Sequence, residues 1–137
     1  IWAMISMETR KPADLLTLHG GSIVDYVCVK DCPIDKPGRI KVSHPELVGK
    51  CQVKYSDIDL NGHVNSIKYI EHILDLFPME MFREKRIRRF EMAYVAESYY
   101  GDTLSFYREQ TGENEYDVEV KKNGSEVVVR SKVIFRD

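Results

Sequence analysis

The polar side chains best suited to chemistry are concentrated in residues 55–65, which read Tyr-Ser-Asp-Ile-Asp-Leu-Asn-Gly-His-Val-Asn. Within this segment Asp59, Asn61 and His63 alternate with apolar or small residues. A carboxylate and an imidazole can accept and donate protons, and an amide can hydrogen-bond a carbonyl oxygen. The segment therefore has the groups needed to add water to an acyl carbonyl, a reaction that places negative charge on the carbonyl oxygen.

An amphipathic helix is predicted directly after this segment. Val64, Ile67, Ile70, Ile73, Leu74 and Phe77 recur at three- and four-residue spacing, which is the period of a helix with one apolar face. Asn65 or Ser66 is the expected N-cap, and Pro78 follows the expected end. Because the first N–H groups of a helix lack intrahelical partners, they could receive the charged oxygen.

The remaining pattern of residues 49–137 predicts strands and one further short helix. Alternation at Cys51, Val53 and Tyr55 precedes the main helix, and a short helix is expected at residues 79–85. Four strands then follow, and Asn123-Gly124 between the last two is typical of a type I′ hairpin. The order favours an α+β hotdog fold, an antiparallel sheet wrapped around one long central helix. The alternating positions of the four strands are Phe90 to Ala96, Leu104 to Arg108, Tyr116 to Val120 and Val127 to Phe135.

Residues 8–48 are predicted to form a connector broken by turns. They contain Pro12, Pro33, Pro37 and Pro45 together with the pair Gly20-Gly21. A short helical piece at residues 13–18 and a strand-like segment at residues 23–29 are expected inside it. We therefore divide the chain into residues 1–48 and a regular domain at residues 49–137.

Bulk composition limits the class of protein. The 137 residues, 43% hydrophobic, suffice for one core, and 20 basic against 22 acidic residues give a net charge of −2. No whole-molecule attraction to nucleic acid or membrane follows from that charge, and no apolar run is long enough to span a bilayer. Three cysteines without disulfide or zinc-finger spacing indicate a reducing compartment. We expect a soluble cytoplasmic protein without metal or cofactor.

Two motifs resemble acyl-ACP thioesterases of plants and bacteria. One comprises Trp2 with residues 8–12 (Glu-Thr-Arg-Lys-Pro) and then residues 56–70; the other comprises residues 94–98 (Tyr-Val-Ala-Glu-Ser) followed by Gly101-Asp102. The resemblance implies two hotdog units in tandem, with catalysis in the second. Residues 1–7 would then be the last strand of an absent first unit, and residues 8–48 the linker.

The resemblance also implies which residues act. The family's catalytic positions fall on Asp59, Asn61, His63 and Glu97, and Ser98 stands where plant members have a cysteine. We interpret the reaction as hydrolysis of a fatty acyl thioester of acyl carrier protein. Glu97 or Asp59 would activate or orient water, while Asn61 and His63 would position the carbonyl or the attacking group. Attack by Asp59 itself, forming an anhydride, remains open.

Structural interpretations and rival functions compete with this reading. Asp57 is expected to serve its own turn, His72 to be a core or surface histidine, and Ser98 to be structural. Among functions, acyl-CoA is the rival donor, although the linker motif at residues 9–12 favours acyl-ACP. A dehydratase-like hotdog is disfavoured by the Asp-x-Asn-x-His spacing, and a non-catalytic acyl-binding or dimerisation module would not need these polar residues.

A basic cluster and an exposed sheet edge suggest partners. The default interpretation of the cluster is a solvated charged loop, while the alternative is a docking patch for acidic acyl carrier protein. An unpaired edge strand favours a homodimer or pairing with the absent N-terminal hotdog unit. The cluster comprises Arg83, Lys85, Arg86, Arg88 and Arg89.

Overall fold

The computed structural model describes residues 4–137. Backbone contacts divide the chain after Lys36 into two compact units, and all five strands lie in the second. No helix within the described residues is long and apolar enough to cross a membrane.

One antiparallel sheet forms the framework of the second unit. Its strands are β1 Glu46–Gln52, β2 Arg86–Tyr94, β3 Thr103–Gly112, β4 Glu115–Lys122 and β5 Glu126–Arg136. Their order in the sheet is β1-β3-β4-β5-β2, so β1 and β2 are the two edges. Two helices, α1 Ser66–Leu74 and α2 Met79–Glu84, lie in the connection from β1 to β2.

The core lies between α1 and one face of the sheet. Tyr69 and Ile73 are the buried residues of α1, and they belong to one apolar cluster with residues of β3, β4 and β5. Phe77, Tyr116 and Phe135 meet edge to face within it. A single antiparallel sheet packed on a main helix confirms the predicted α+β hotdog fold.

The main helix is shorter than its apolar period predicted. It has nine residues, about 14 Å at 1.5 Å per residue. The chain turns before Pro78, because Leu76 N–H donates to Ile73 O and Phe77 N–H donates to Leu74 O at 3.2 and 3.1 Å. Phe77 therefore reaches the core from a turn, and the helix is not as long as expected.

The first unit departs from its predicted strand. A 3₁₀ helix at Leu15–Tyr26, interrupted around Gly20 and Gly21, occupies part of residues 23–29. The strand prediction there is wrong, because the apolar side chains are exposed and no neighbouring strand pairs with them; Val29 is 99% exposed. Of residues 1–7, the first three lie outside the described residues, and Ile5 forms an isolated bridge with Pro12.

The basic cluster does not form a loop, so that default interpretation is wrong. It runs from the end of α2 into β2, where β5 supplies the backbone partners. Lys85 donates to Asn114 Oδ1 at 2.6 Å, and Arg89 pairs with Glu91. Arg86 and Arg88 are exposed, and neither side chain has a polar partner in the described part of the chain.

Candidate active site

Two loops carry the candidate residues. The helix-entry loop, residues 53–65, joins β1 to α1, and the sheet loop, residues 95–102, joins β2 to β3. Backbone bonds connect them: Val64 N–H donates to Ser98 O at 2.9 Å, and Val53 N–H donates to Asp102 O at 2.8 Å. The relative position of the two loops is therefore fixed by the main chain.

The helix-entry loop is a nested pair of turns. Asp57 Oδ2 accepts from Lys54 N–H at 2.8 Å, which confirms that the Asp57 side chain hydrogen-bonds the backbone of its own turn. Asp57 O accepts from Asn65 N–H at 2.8 Å, and Asp59 N–H donates to His63 O at 2.9 Å. Gly62 closes the inner turn with φ +81°, a conformation that L side chains rarely adopt. These bonds bring Asp59 next to His63.

The inner turn also orients the Asp59 carboxylate. Its Oδ1 accepts from the N–H groups of Asn61 and His63 at 2.8 and 3.4 Å. Its Oδ2 makes no hydrogen bond to any described residue. One oxygen is thus held by the backbone while the other remains available to a substrate or a water molecule.

His63 and Glu97 face each other across the two loops. Nε2 of His63 lies 3.4 Å from Oε2 of Glu97, and the side chains are 28% and 46% exposed. A polar contact this exposed contributes little to stability. Its accessibility suits a site that must admit a substrate.

Three of the four predicted residues share one small hollow. Asp59, His63 and Glu97 line a pocket of about 200 Å³. Asn61 lines a larger, open hollow of about 630 Å³ beside it, and Asp59 lines both. The smaller pocket is completed by Val64, Ser66, Tyr69, Tyr94 and Ala96.

The start of α1 offers fewer free N–H groups than expected. Asn65 is the N-cap, as predicted, and its Oδ1 accepts from Ile67 N–H at 3.0 Å. Lys68 N–H donates to Asn65 O at 2.9 Å, and Val64 N–H is bonded to Ser98 O. Ser66 N–H has no acceptor within residues 4–137, and Ser66 lines the smaller pocket. At the start of α1, Ser66 N–H is therefore the remaining candidate donor to an oxyanion among the described residues.

The structure adds two residues that sequence reasoning missed. Tyr99 Oη donates to Glu97 Oε2 at 3.1 Å, and Lys122 Nζ donates to Glu97 O at 2.8 Å. Tyr99 could have been found from its position two residues after Glu97. Lys122 lies at the end of β4, 25 positions away in the sequence, and no local pattern points to it.

The thiol and hydroxyl groups near the site are poor nucleophiles. Ser98 is 1% exposed, and its Oγ is bonded to no imidazole or carboxylate among the described residues. Burial raises the pKa of the Cys51 thiol, and the nearby Asp57 charge raises that pKa further. All three cysteines are unpaired, and residues 4–137 contain no group of His, Cys, Asp or Glu arranged to hold a metal ion.

Fold and site together define a hotdog protein with a polar pocket at the entry of its main helix. Residues 41–136 match the model of the acyl-ACP thioesterase C-terminal domain. This match covers more than half of the chain, so the chain belongs to that family.

Relatives and solved structures agree with this membership. The chain is 32% identical over 99 residues to dodecanoyl-[acyl-carrier-protein] hydrolase, chloroplastic, of Cinnamomum camphora, covering 69% of this chain and 26% of that protein. A crystal structure of an acyl-ACP thioesterase from Bacteroides thetaiotaomicron is 68% identical with a TM-score of 0.88, covering 96% of this chain and 53% of that one. The 12:0-ACP thioesterase from Umbellularia californica, 22% identical with a TM-score of 0.74, shares the fold; it covers 96% of this chain and 52% of that chain.

The chain therefore spans about a quarter of the plant relative's length and about half of the bacterial structure's.

Proposed function

We propose that this chain carries the hydrolytic site of an acyl-ACP thioesterase, which cleaves a fatty acyl thioester into free fatty acid and holo-acyl carrier protein. The observation that carries the proposal is the shared pocket of Asp59, His63 and Glu97. The 68% identity to a bacterial acyl-ACP thioesterase supports it.

The contacts suggest a division of roles between the two carboxylates. Asp59 lines the pocket with one oxygen fixed by backbone N–H groups and the other without a hydrogen-bond partner among the described residues, so we assign it to orient the attacking water. Glu97 lies against His63, so it stabilises the charged imidazole that forms when His63 takes a proton. Water adds to the carbonyl carbon, the carbon–sulfur bond breaks, and His63 returns the proton to the leaving thiolate.

Negative charge on the carbonyl oxygen requires donors. Ser66 N–H lies at the positive end of α1, and Ser66 lines the pocket, so we assign this group as the donor. The Asn61 amide, in the adjoining hollow, is assigned to position the carbonyl. Asp59 lines both the pocket that contains Ser66 and the hollow that contains Asn61.

A comparison of two acyl donors, acyl-ACP and acyl-CoA, tests this function. Matched acyl-ACP and acyl-CoA substrates are offered to the wild-type protein and to Asp59→Ala, His63→Ala and Glu97→Gln, with Glu113→Gln at an exposed turn position as the matched control. Faster cleavage of acyl-ACP, abolished by the three site variants and retained by the control, is expected. Preference for acyl-CoA would favour that donor, and a folded protein that cleaves neither would favour a non-catalytic acyl-binding module.

A second hotdog unit is the proposed structural partner. β2 is an edge strand of nine residues, and Ile87 and Tyr94 on it are 39% and 51% exposed. Pairing through this edge would satisfy its free backbone groups. Light scattering should show a dimer or, in a longer chain, two paired units; a monodisperse monomer of this chain would contradict pairing between copies.

The plant relatives are chloroplastic by name, and the cytoplasmic location expected from the sequence stays a prediction.

A further inference from the structure

We propose that Tyr99 is the positioning residue that aims the Glu97 carboxylate at His63. The inference rests on the proposed function, because it concerns how that site keeps its acid in place. It adds a residue that neither motif contributes.

Tyr99 contacts both members of the pair. Its Oη donates to Oε2 of Glu97 at 3.1 Å, and the same oxygen lies 3.4 Å from Nε2 of His63. The ring of Tyr99 meets the His63 ring edge to face, with centroids 5.2 Å apart and an interplanar angle of 84°. One carboxylate oxygen is thus held between two side chains that also contact each other.

Tyr99 is itself held by groups from other parts of the fold. Its N–H donates to Asp102 Oδ2 at 2.9 Å, and Asp102 Oδ1 accepts from Asn123 Nδ2 at 2.8 Å. Lys122 Nζ lies 5.6 Å from the centre of the Tyr99 ring while donating to Glu97 O at 2.8 Å. The end of β4 therefore contacts the Tyr99 ring, and the turn that follows β4 supports the Tyr99 backbone through Asp102.

This arrangement matters because Glu97 has a long side chain on an exposed loop. Its side chain is 46% exposed, and a glutamate with this freedom samples several rotamers unless a partner selects one. The hydrogen bond from the Tyr99 hydroxyl favours the Glu97 rotamer whose carboxylate reaches His63. Tyr99 should therefore affect the rate of the chemical step more than the binding of substrate.

The test is Tyr99→Phe, which removes the hydroxyl and keeps the ring against His63. We expect kcat to fall about tenfold with KM within about twofold. Tyr100→Phe is the matched control, because Tyr100 is 72% exposed and its hydroxyl has no partner in the described chain; it should leave both quantities unchanged.

Two further measurements separate positioning from general structure. In a Glu97→Gln background, Tyr99→Phe should cause little additional loss, since the charged acceptor is already gone. The NMR chemical shifts of the His63 ring nitrogens at one fixed pH, which do not depend on turnover, should differ between wild type and Tyr99→Phe.

Unchanged NMR shifts of the His63 ring, or an undiminished kcat in Tyr99→Phe, would overturn the inference. A wild-type protein that cleaves no thioester would contradict the proposed function instead, and the NMR shifts of the His63 ring would still decide the role of Tyr99.

Discussion

Nε2 of His72 lies 3.5 Å from Oδ1 of Asp57, and this contact ties the last turn of α1 to the loop that carries Asp59 and His63. Asp57 is 8% exposed, and its other oxygen holds Lys54 N–H at 2.8 Å. His72 also packs its ring 5.9 Å from that of Phe106 in the core. The buried Asp57 carboxylate therefore braces the helix-entry loop against α1, although it takes no part in the proposed chemistry.

Asp57→Asn is expected to destabilise the protein by about 1–3 kcal/mol, because it replaces a buried charged acceptor facing His72 with an amide. Turnover should fall as well, since Asp59 and His63 depend on the same loop. The free energy of unfolding in urea measures the first effect. Asp75→Asn, at the exposed end of α1, is the control; equal losses in both variants would contradict the bracing role.

Charge reversal at both Arg86 and Arg88 is expected to lower kcat/KM for acyl-ACP about tenfold at low salt and to spare small thioesters. The physical reason is that both are exposed on edge strand β2 and can attract an acidic carrier protein. Reversal of Lys41 and Lys50 changes the net charge equally and should have little effect. Equal losses on acyl-ACP and small thioesters would exclude carrier docking at the side chains of Arg86 and Arg88.

Asp102 should make stability depend on acid pH. Partial burial acts to raise the pKa of its carboxyl, but donation from Tyr99 N–H and the Asn123 amide, with the Lys122 charge, lowers that pKa below its ordinary 3.8. A lowered folded pKa contributes stability above the ordinary value, and this contribution is lost as pH falls through the folded pKa. Wild type should therefore exceed Asp102→Asn in unfolding free energy at pH 7, with the gap closing below pH 3.8. A gap that stays constant down to the acid limit of folding would contradict this.

Gly124→Ala should cost about 1 kcal/mol of stability, because Gly124 has φ +94° and the cost is one of backbone conformation. No atom lies within 4 Å of the added Cβ, so steric clash plays no part. Gly38→Ala, with equally open space and no positive φ, is the matched control and should be neutral. Thermal denaturation measures both effects. Destabilisation of Gly124→Ala alone would support backbone strain, whereas equal changes in the two variants would contradict it.

Features written in local sequence could be predicted. The cap at Asn65 and the turn at Asn123-Gly124 depend on a few neighbouring residues, and both are found: Asn123 and Gly124 have φ 50° and 94°, and Ser125 N–H donates to Lys122 O at 3.3 Å. The strand expected at residues 23–29 failed because alternation does not reveal whether a partner strand is available. Local patterns specify an element, and its pairing depends on the rest of the chain.

The candidate site was predictable only in part for the same reason. Asp59, Asn61 and His63 are close in sequence and stand out together, whereas Glu97 was found from the family resemblance alone. The contacts of Tyr99, Lys122 and His72 join side chains brought together by folding. Such contacts follow from strand register and loop geometry, which the sequence pattern does not specify.

A double-mutant cycle at His63 and Glu97, measured as kcat for acyl-ACP cleavage, tests whether these two residues form one hydrolytic centre. If the two side chains act as one unit, His63→Ala and Glu97→Gln should each lower kcat about 100-fold or more, and the double variant should be little worse than either. Losses that multiply, or a single variant that retains wild-type turnover while folded, would contradict a shared hydrolytic centre.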